Sequence, residues 1–434
     1  MLRPAGFADL AGKRVGIFGM GVEGRAAVAR LTKVAGALVL VDDVDGRGDD
    51  VVVTEHGGHE LLLSCDVVLK SPGIARRRDD VLDLEARGVV VTSALNLWLH
   101  DVDRRRVVAV TGTKGKSTTT ALITFFLVTL GEVAQSLGNI GRPPYDPSID
   151  TSSGWLILEV SSFQCVDIDV APDLIVVTSL GADHLDWHGS LDRYVDDKLS
   201  LTRAAGEHDT LVPNTPTMRE VSEQLGGTVR YVDAGSSGLA ARLGLLGAHS
   251  ESNVALALAT TAQLLGRSVD EIRPLIEASA DSFVPLKGRL TLVTSAPHVG
   301  GAVRYVDDGL ATAPLPTIAA LDVFRDDAIV LIAGGFDRGV DYQSLADVLV
   351  SRDAPTGLVT MGDAGRRLGA VVRELAPSFD VHHVDSMHQA VHLAHELAPG
   401  GGVVLFSPAA PSFDRYRDWE ERSDDFARVV AELA

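Results

Sequence analysis

The run Val107-Val108-Ala109-Val110-Thr111-Gly112-Thr113-Lys114-Gly115-Lys116-Ser117-Thr118-Thr119-Thr120 constrains this chain more than any other segment. Four apolar residues predict a short buried strand, two glycines allow a tight turn, and Lys116-Ser117 open a helix. Backbone N–H groups at such a helix start can cradle phosphate oxygens, helped by the positive end of the helix dipole. Gly112, Thr113, Lys114, Gly115 and Thr118 would wrap the phosphates. Lys116 would neutralise the β- and γ-phosphates, and the Ser117 hydroxyl would reach Mg²⁺. The general form of the motif carries a glycine where this chain has Val110, so the loop is a compact variant.

With 434 residues the chain has room for two or three domains, each with its own core. A formal net charge of −20 argues against non-specific binding to nucleic acid or an anionic membrane surface. Anionic nucleotides therefore need local cationic islands, and the loop lysines form one. Cys65 and Cys165 lie in apolar segments without metal-ligand spacing and read as buried reduced thiols of a cytoplasmic protein. The start of the chain has no apolar stretch resembling a signal peptide, and no window reaches the length of a membrane-spanning helix. A soluble monomer is expected.

Three α/β segments follow from the pattern of strands and turns. In residues 1–103, the strand Lys13–Phe18 precedes Gly19-Met20-Gly21-Val22-Glu23-Gly24 and a helix through Leu31. A second strand ends in Asp42-Asp43, about twenty residues after the glycines, which is the dinucleotide-binding spacing. The same turn and acid suit NAD or a UDP-sugar. A third unit ends in Ser71-Pro72-Gly73-Ile74. In residues 104–284, the apolar strand Trp155–Val160 carries Glu159 near its end, and Leu174–Ser179 leads into Asp183-His184. Acids and a histidine at strand ends beside a phosphate loop suit Mg²⁺. Residues 285–434 read as a third unit, with strands ending at Asp307-Asp308, Gly334-Gly335 and Ser407-Pro408.

These motifs, together with Gly138-Asn139-Ile140-Gly141, Leu158-Glu159-Val160-Ser161-Ser162-Phe163-Gln164, Lys198 and Ser412-Phe413-Asp414, make the chain resemble the Mur ligase family from end to end. The compact Gly-Thr-x-Gly-Lys-Ser-Thr loop is also the form used there. The resemblance implies an α/β protein of three domains. These are a Rossmann-like N-terminal domain for a UDP-sugar, a central P-loop ATPase domain with a parallel sheet, and a Rossmann-like C-terminal domain that receives an amino acid. It implies ATP-driven amide formation between UDP-N-acetylmuramoyl-L-alanine and glutamate in peptidoglycan precursor synthesis. The implied catalytic residues are Lys116, His184 and Lys198, with Ser117, Glu159, His184 and a carbamylated Lys198 serving the metal. Asn139 and Asn253 would serve adenine, while Arg289 and Asp308 complete the ATP set. Gly19, Gly21, Asp42, Ser71 and Gly73 would hold the UDP-sugar, and Thr312, Arg338, Ser412 and Trp419 the glutamate.

Several positions depart from the family pattern. Ser250 stands where a second asparagine is usual, and Gly288 where a histidine precedes the ATP arginine. Leu310 replaces a lysine, Arg338 replaces a lysine after the Gly-Gly turn, and Trp419 replaces a phenylalanine. An arginine fork and an ammonium are not interchangeable carboxylate partners. The changes point to the branch that adds L-glutamate, with the D-glutamate-adding branch as the alternative. A folylpolyglutamate synthase would lack the leading UDP-binding domain, and an NAD-dependent enzyme would leave the phosphate loop without a role.

Overall fold

Strand β1 (Arg14–Phe18) is buried from Val15 onward because it runs through the middle of a parallel sheet. Its companions are β2 (Ala37–Asp42), β3 (Val51–Val53), β4 (Val67–Lys70) and β5 (Val90–Thr92). The order β3-β2-β1-β4-β5 is parallel throughout. Successive crossovers leave β1 in opposite directions, which opens a crevice beyond the carboxyl ends of β1 and β4. Gly19 and Ser71 stand there. The structure, a computed structural model, describes residues 3–181, 185–235 and 238–433.

The second sheet comprises β6 (Val107–Thr111), β7 (Ala134–Gly138), β8 (Trp155–Glu159), β9 (Leu174–Val177), β10 (Asp209–Pro213) and β11 (Thr228–Val232). Its order is β11-β10-β9-β6-β8-β7, again all parallel. All five residues of β6 are buried, as an apolar run covered on both faces requires. The phosphate loop leaves β6 between the carboxyl ends of β8 and β9, so Glu159 and Thr178-Ser179 flank it.

The third sheet contains β12 (Thr291–Ala296), β13 (Val303–Asp307), β14 (Ile329–Gly334), β15 (Thr356–Met361), β16 (Val381–His383) and β17 (Val403–Phe406). Its order is β12-β13-β17-β14-β15-β16, with only the β12–β13 edge antiparallel. Because β13, β17 and β14 are neighbours, the loops after Asp307, Phe406 and Gly334 converge although they are far apart in the chain.

Two compact units result, one formed by residues 1–236 with 251–279 and the other by 237–250 with 280–434. The first unit contains the first two sheets. They are joined by a buried ion pair, Lys70 Nζ to Asp167 at 2.7 Å. Beside it, the Tyr145 hydroxyl and the Gln164 amide donate to the Glu23 carboxylate, whose pKa burial raises. Removing one partner of such a buried pair typically costs about 3–5 kcal/mol, so this contact fixes how the two sheets meet. Among the described residues, no helix is long and apolar enough to cross a membrane.

Candidate active site

Gly112 and Gly115 have φ angles of 139° and 86°, a region in which L side chains are strained. Space forbids substitution as well. A Cβ on Gly112 would lie 2.1 Å from Thr178 Oγ1, and one on Gly115 would lie 2.4 Å from Asn253 Oδ1. The loop is braced from β9: Thr113 N–H donates to Ser179 O and Lys114 N–H to Ser179 Oγ, both at 2.8 Å. The Thr178 hydroxyl lies within bonding distance of the carbonyls of Thr111 and Lys114. The helix Lys116–Thr129 starts at Gly115 with no side-chain cap and no acid in its first turn. Its positive end is therefore not neutralised locally, which suits an anion. Lys116 Nζ folds back over the loop to the carbonyls of Gly112 (3.0 Å) and Thr113 (3.2 Å).

Glu159 is 2% exposed at the end of β8. Its Oε1 accepts from Asn139 Nδ2 at 2.9 Å, whereas its buried Oε2 has no hydrogen-bond partner. Asn139, expected at adenine, thus orients the acid expected to bind metal; Asn253 lies against the phosphate loop at Gly115. A carboxylate oxygen lacking a donor and the buried Ser117 hydroxyl are hard oxygen ligands that fit Mg²⁺. Lys198 is 2% exposed; its Nζ donates to Gly112 O at 2.9 Å and stands 4.9 Å from the centre of the Tyr194 ring. His184 lies outside the described residues.

Sequence reasoning missed the support beneath Lys198. Asp197 is bidentate to Arg77, with both bonds at 2.8 Å, and also meets His188 Nδ1 at 2.8 Å. Although burial opposes ionisation, these partners hold the Asp197 pKa below the usual carboxylate value. His188 Nε2 bonds Ser162 Oγ at 3.0 Å. The Arg76-Arg77-Arg78 run after the Ser71 turn was the visible signal. These arginines, with Trp187, His188 and Arg193, line a cavity of about 230 Å³.

At the first crevice, Gly19 has φ 97°, and a Cβ there would lie 2.7 Å from Ser71 Cβ. Ser71 Oγ donates to Gly19 O at 2.6 Å, tying the two turns together. Gly21 caps the helix Val22–Leu31, and Gly73 has open space around it. Asp42, expected to hold a ribose, is turned inward. Its carboxylate accepts the N–H groups of Met20 (2.6 Å) and Val44 (2.9 Å), so it shapes the glycine turn.

In the second unit, two departures from the family pattern, Gly288 and Trp419, prove to be one contact, with the backbone of a third, Leu310, beside it. A Cβ on Gly288 would lie 2.6 Å from Trp419 Cζ3, and Leu310 N–H donates to Gly288 O at 3.2 Å. The larger aromatic requires the smaller residue opposite it. Arg289 is exposed, and burial pushes the carboxyl of Asp308 up to about 7 even though Ser407 Oγ donates to it at 2.7 Å. Ser412 is buried and Thr312 half-buried. Arg338 is exposed, with its guanidinium 5.8 Å from the centre of the Phe413 ring.

Residues 110–238 match the model of the Mur ligase middle domain. A UDP-N-acetylmuramoyl-L-alanine--L-glutamate ligase of Salinispora tropica is 35% identical, with 98% of this chain and 99% of that protein aligned. The chain belongs to the Mur ligase family. A ligase of the same name from Xanthomonas euvesicatoria pv. vesicatoria is 33% identical over 98% of this chain and 96% of its own. Among solved structures, UDP-N-acetylmuramate-alanine ligase MurC of Thermotoga maritima superposes with a TM-score of 0.55 at 17% identity, covering 97% of this chain and all of that one. A pseudomurein peptide ligase type C of Methanothermus fervidus gives 0.53 at 14% identity, over 98% of this chain and 100% of its own. Both likenesses are of fold, and they agree with an α/β Mur ligase architecture.

Proposed function

We propose that this protein is an ATP-dependent ligase that joins L-glutamate to UDP-N-acetylmuramoyl-L-alanine in peptidoglycan precursor synthesis. The reading is carried by near-full-length similarity to relatives bearing that name, and the braced phosphate loop with the buried Glu159 and Lys198 beside it supports it. Three domains, 1–103 for the UDP-sugar, 104–284 for ATP and 285–434 for glutamate, divide the work. The buried, unpaired cysteines suit a cytoplasmic enzyme, and we take it to act as a monomer.

A carboxylate is a poor electrophile, so it is first activated. An oxygen of the alanyl carboxylate attacks the γ-phosphorus of ATP, and ADP leaves. The α-amine of glutamate then attacks the acyl carbon, loses a proton, and the tetrahedral intermediate expels phosphate. The amide helix start and Lys116 hold the triphosphate and offset charge spread over the transferring oxygens. Ser117 and Glu159, the latter oriented by Asn139, would hold Mg²⁺, with His184 and a carbamylated Lys198 serving a second ion. Bound Mg²⁺ supplies further charge neutralisation and alignment. Gly19, Gly21, Ser71 and Gly73, on a turn shaped by Asp42, receive the UDP-sugar. Asn253, Arg289 and Asp308 serve the rest of ATP. Thr312, Arg338, Ser412 and Trp419 receive the amino acid.

L-glutamate is favoured because Gly288 and Trp419 change together, Leu310 removes a cation, and Arg338 can grip a carboxylate bidentately. The test is phosphate release from ATP with UDP-N-acetylmuramoyl-L-alanine and either enantiomer. A kcat/KM higher for L-glutamate by about a hundredfold or more is expected, with selective loss of the L-activity in Arg338→Lys. Equal or better turnover of D-glutamate would overturn the stereochemical assignment, and no turnover of either would overturn the activity.

A further inference from the structure

Arg422 is 2% exposed and the largest fully buried side chain among the described residues. It lies on the helix Trp419–Ala431, one turn after Trp419. Its hydrogen bonds run to backbone carbonyls on three loops: Nη2 to Ala410 O (2.9 Å) and Gly309 O (3.2 Å), and Nη1 to Gly334 O (3.4 Å). Its Nε is buried without a partner. A Cβ on Gly335 would lie 2.9 Å from Nη1, so the Gly-Gly turn leaves room for the guanidinium. Beneath it, the Phe406 ring centre is 5.8 Å away.

Asp307 completes the cluster. Its Oδ1 accepts from Gly309 N–H (2.8 Å) and Ser423 Oγ (3.0 Å), and its Oδ2 from Gly288 N–H (3.1 Å). The Gly309 residue is thus held by its N–H from Asp307 and by its carbonyl from Arg422. Carbonyl partners do not fully offset the loss of hydration, and burial draws the Arg422 pKa down to about 10. Retaining a fully buried arginine at such a cost needs a return. Among the described residues, the two non-glycine residues with positive φ are Leu290 (52°) and Ala409 (56°), and Ala409 adjoins the clamped carbonyl of Ala410. Strained backbone of this kind persists only where its surroundings hold it.

Every residue assigned above to glutamate lies a few positions from a clamped group: Thr312 after Gly309, Arg338 after Gly334, Ser412 after Ala410, and Trp419 on the same helix. We propose that Arg422 is the positioning residue of the glutamate pocket. It joins the loops after β13, β14 and β17 into one rigid frame and so sets which enantiomer fits, without touching the substrate. This inference rests on the glutamate-ligase reading. The guanidinium reaches these carbonyls from two nitrogens held apart in one plane, whereas an ammonium gathers its donors at a single point, so Arg422→Lys keeps the charge and loses the frame.

The test compares full-length wild type with Arg422→Lys. KM for L-glutamate should rise at least about tenfold, and the L-to-D ratio of kcat/KM should fall by a similar factor. KM for ATP and for the UDP-sugar substrate should stay unchanged. A lysine variant with unchanged glutamate KM and unchanged enantiomer ratio overturns the role of Arg422 while leaving the ligase standing; a general loss across all three substrates overturns it equally. Wild type that does not ligate glutamate overturns both readings. If the variant does not fold, wild type labelled at arginine nitrogen decides. The buried guanidinium resonances should shift when L-glutamate is added with the UDP-sugar substrate and a non-hydrolysable ATP analogue, more than with D-glutamate. No difference between the enantiomers overturns the proposal.

Discussion

The pairing of Gly288 with Trp419 can be tested as a double-mutant cycle. Gly288 has φ 68°, and a methyl there would sit 2.6 Å from Cζ3 and 3.1 Å from Cε3 of Trp419. Both atoms belong to the six-membered ring of indole, which reaches beyond a phenylalanine ring. Gly288→Ala in wild type should therefore cost about 1–2 kcal/mol for the left-handed backbone and about 1–3 kcal/mol more for overpacking. In a Trp419→Phe background the backbone cost and a 3.3 Å approach to Leu310 N remain, and both cancel in the cycle. The coupling energy is then about 1–3 kcal/mol. For a domain of 150–250 residues, each kcal/mol moves the melting temperature by about 2–4 °C. Calorimetry on wild type, both single variants and the double variant should show Gly288→Ala to be milder by roughly 2–12 °C when residue 419 is phenylalanine. Effects additive to within about 0.5 kcal/mol would refute the steric coupling, and with it the view that these two departures are one change.

Lys116→Ala should lower ligation by more than about tenfold, a barrier increase above 1.4 kcal/mol, while calorimetric binding of the UDP-sugar substrate stays near wild type. Lys198→Ala should be nearly inactive and partly restored by short carboxylic acids that occupy the vacated space beside Gly112; full activity would remove Lys198 from the site. Asp308→Asn should change the pH dependence of stability. With the folded carboxyl at about 7 and an unfolded value near 3.9, the unfolded chain alone loses its proton between those pH values. Wild-type stability should thus fall by up to about 4 kcal/mol across that window and level off above it. The asparagine variant should gain in melting temperature relative to wild type at pH 8 and not at pH 4, and a gain of equal size at both would refute the assignment.

Local physics made the scaffold readable from the chain alone. The apolar run Val107–Val110 followed by Gly112 and Gly115 can hardly be anything but a strand, turn and helix, and the glycines are irreplaceable on both φ and space. The spacing from Gly19 to Asp42 likewise gave away the first parallel sheet. Short or edge strands such as β3 and β16, three half-buried residues each, carry too few positions for a period to register. The α/β class and the family were legible because they depend on such contiguous patterns.

Partnership was not legible. Asp42 looks like a ligand-binding group in sequence, yet its buried carboxylate accepts the N–H groups of Met20 and Val44, because a buried polar atom takes the nearest donor or acceptor that folding offers; nor does sequence show that the exposed Asn139 donates to the buried Glu159. Nothing in the sequence sets Arg422 apart from its charged neighbours Glu420, Glu421 and Asp424. Only the adjacency of β13, β17 and β14 brings the carbonyls of Gly309, Gly334 and Ala410 around it. Sequence determined the elements, whose causes lie within a few residues of each other. Tertiary structure alone decided which side chains hold the loops and which are left to face substrate, since those contacts join turns and strand ends that become neighbours only in the folded sheets, up to 113 positions apart for Arg422 and Gly309.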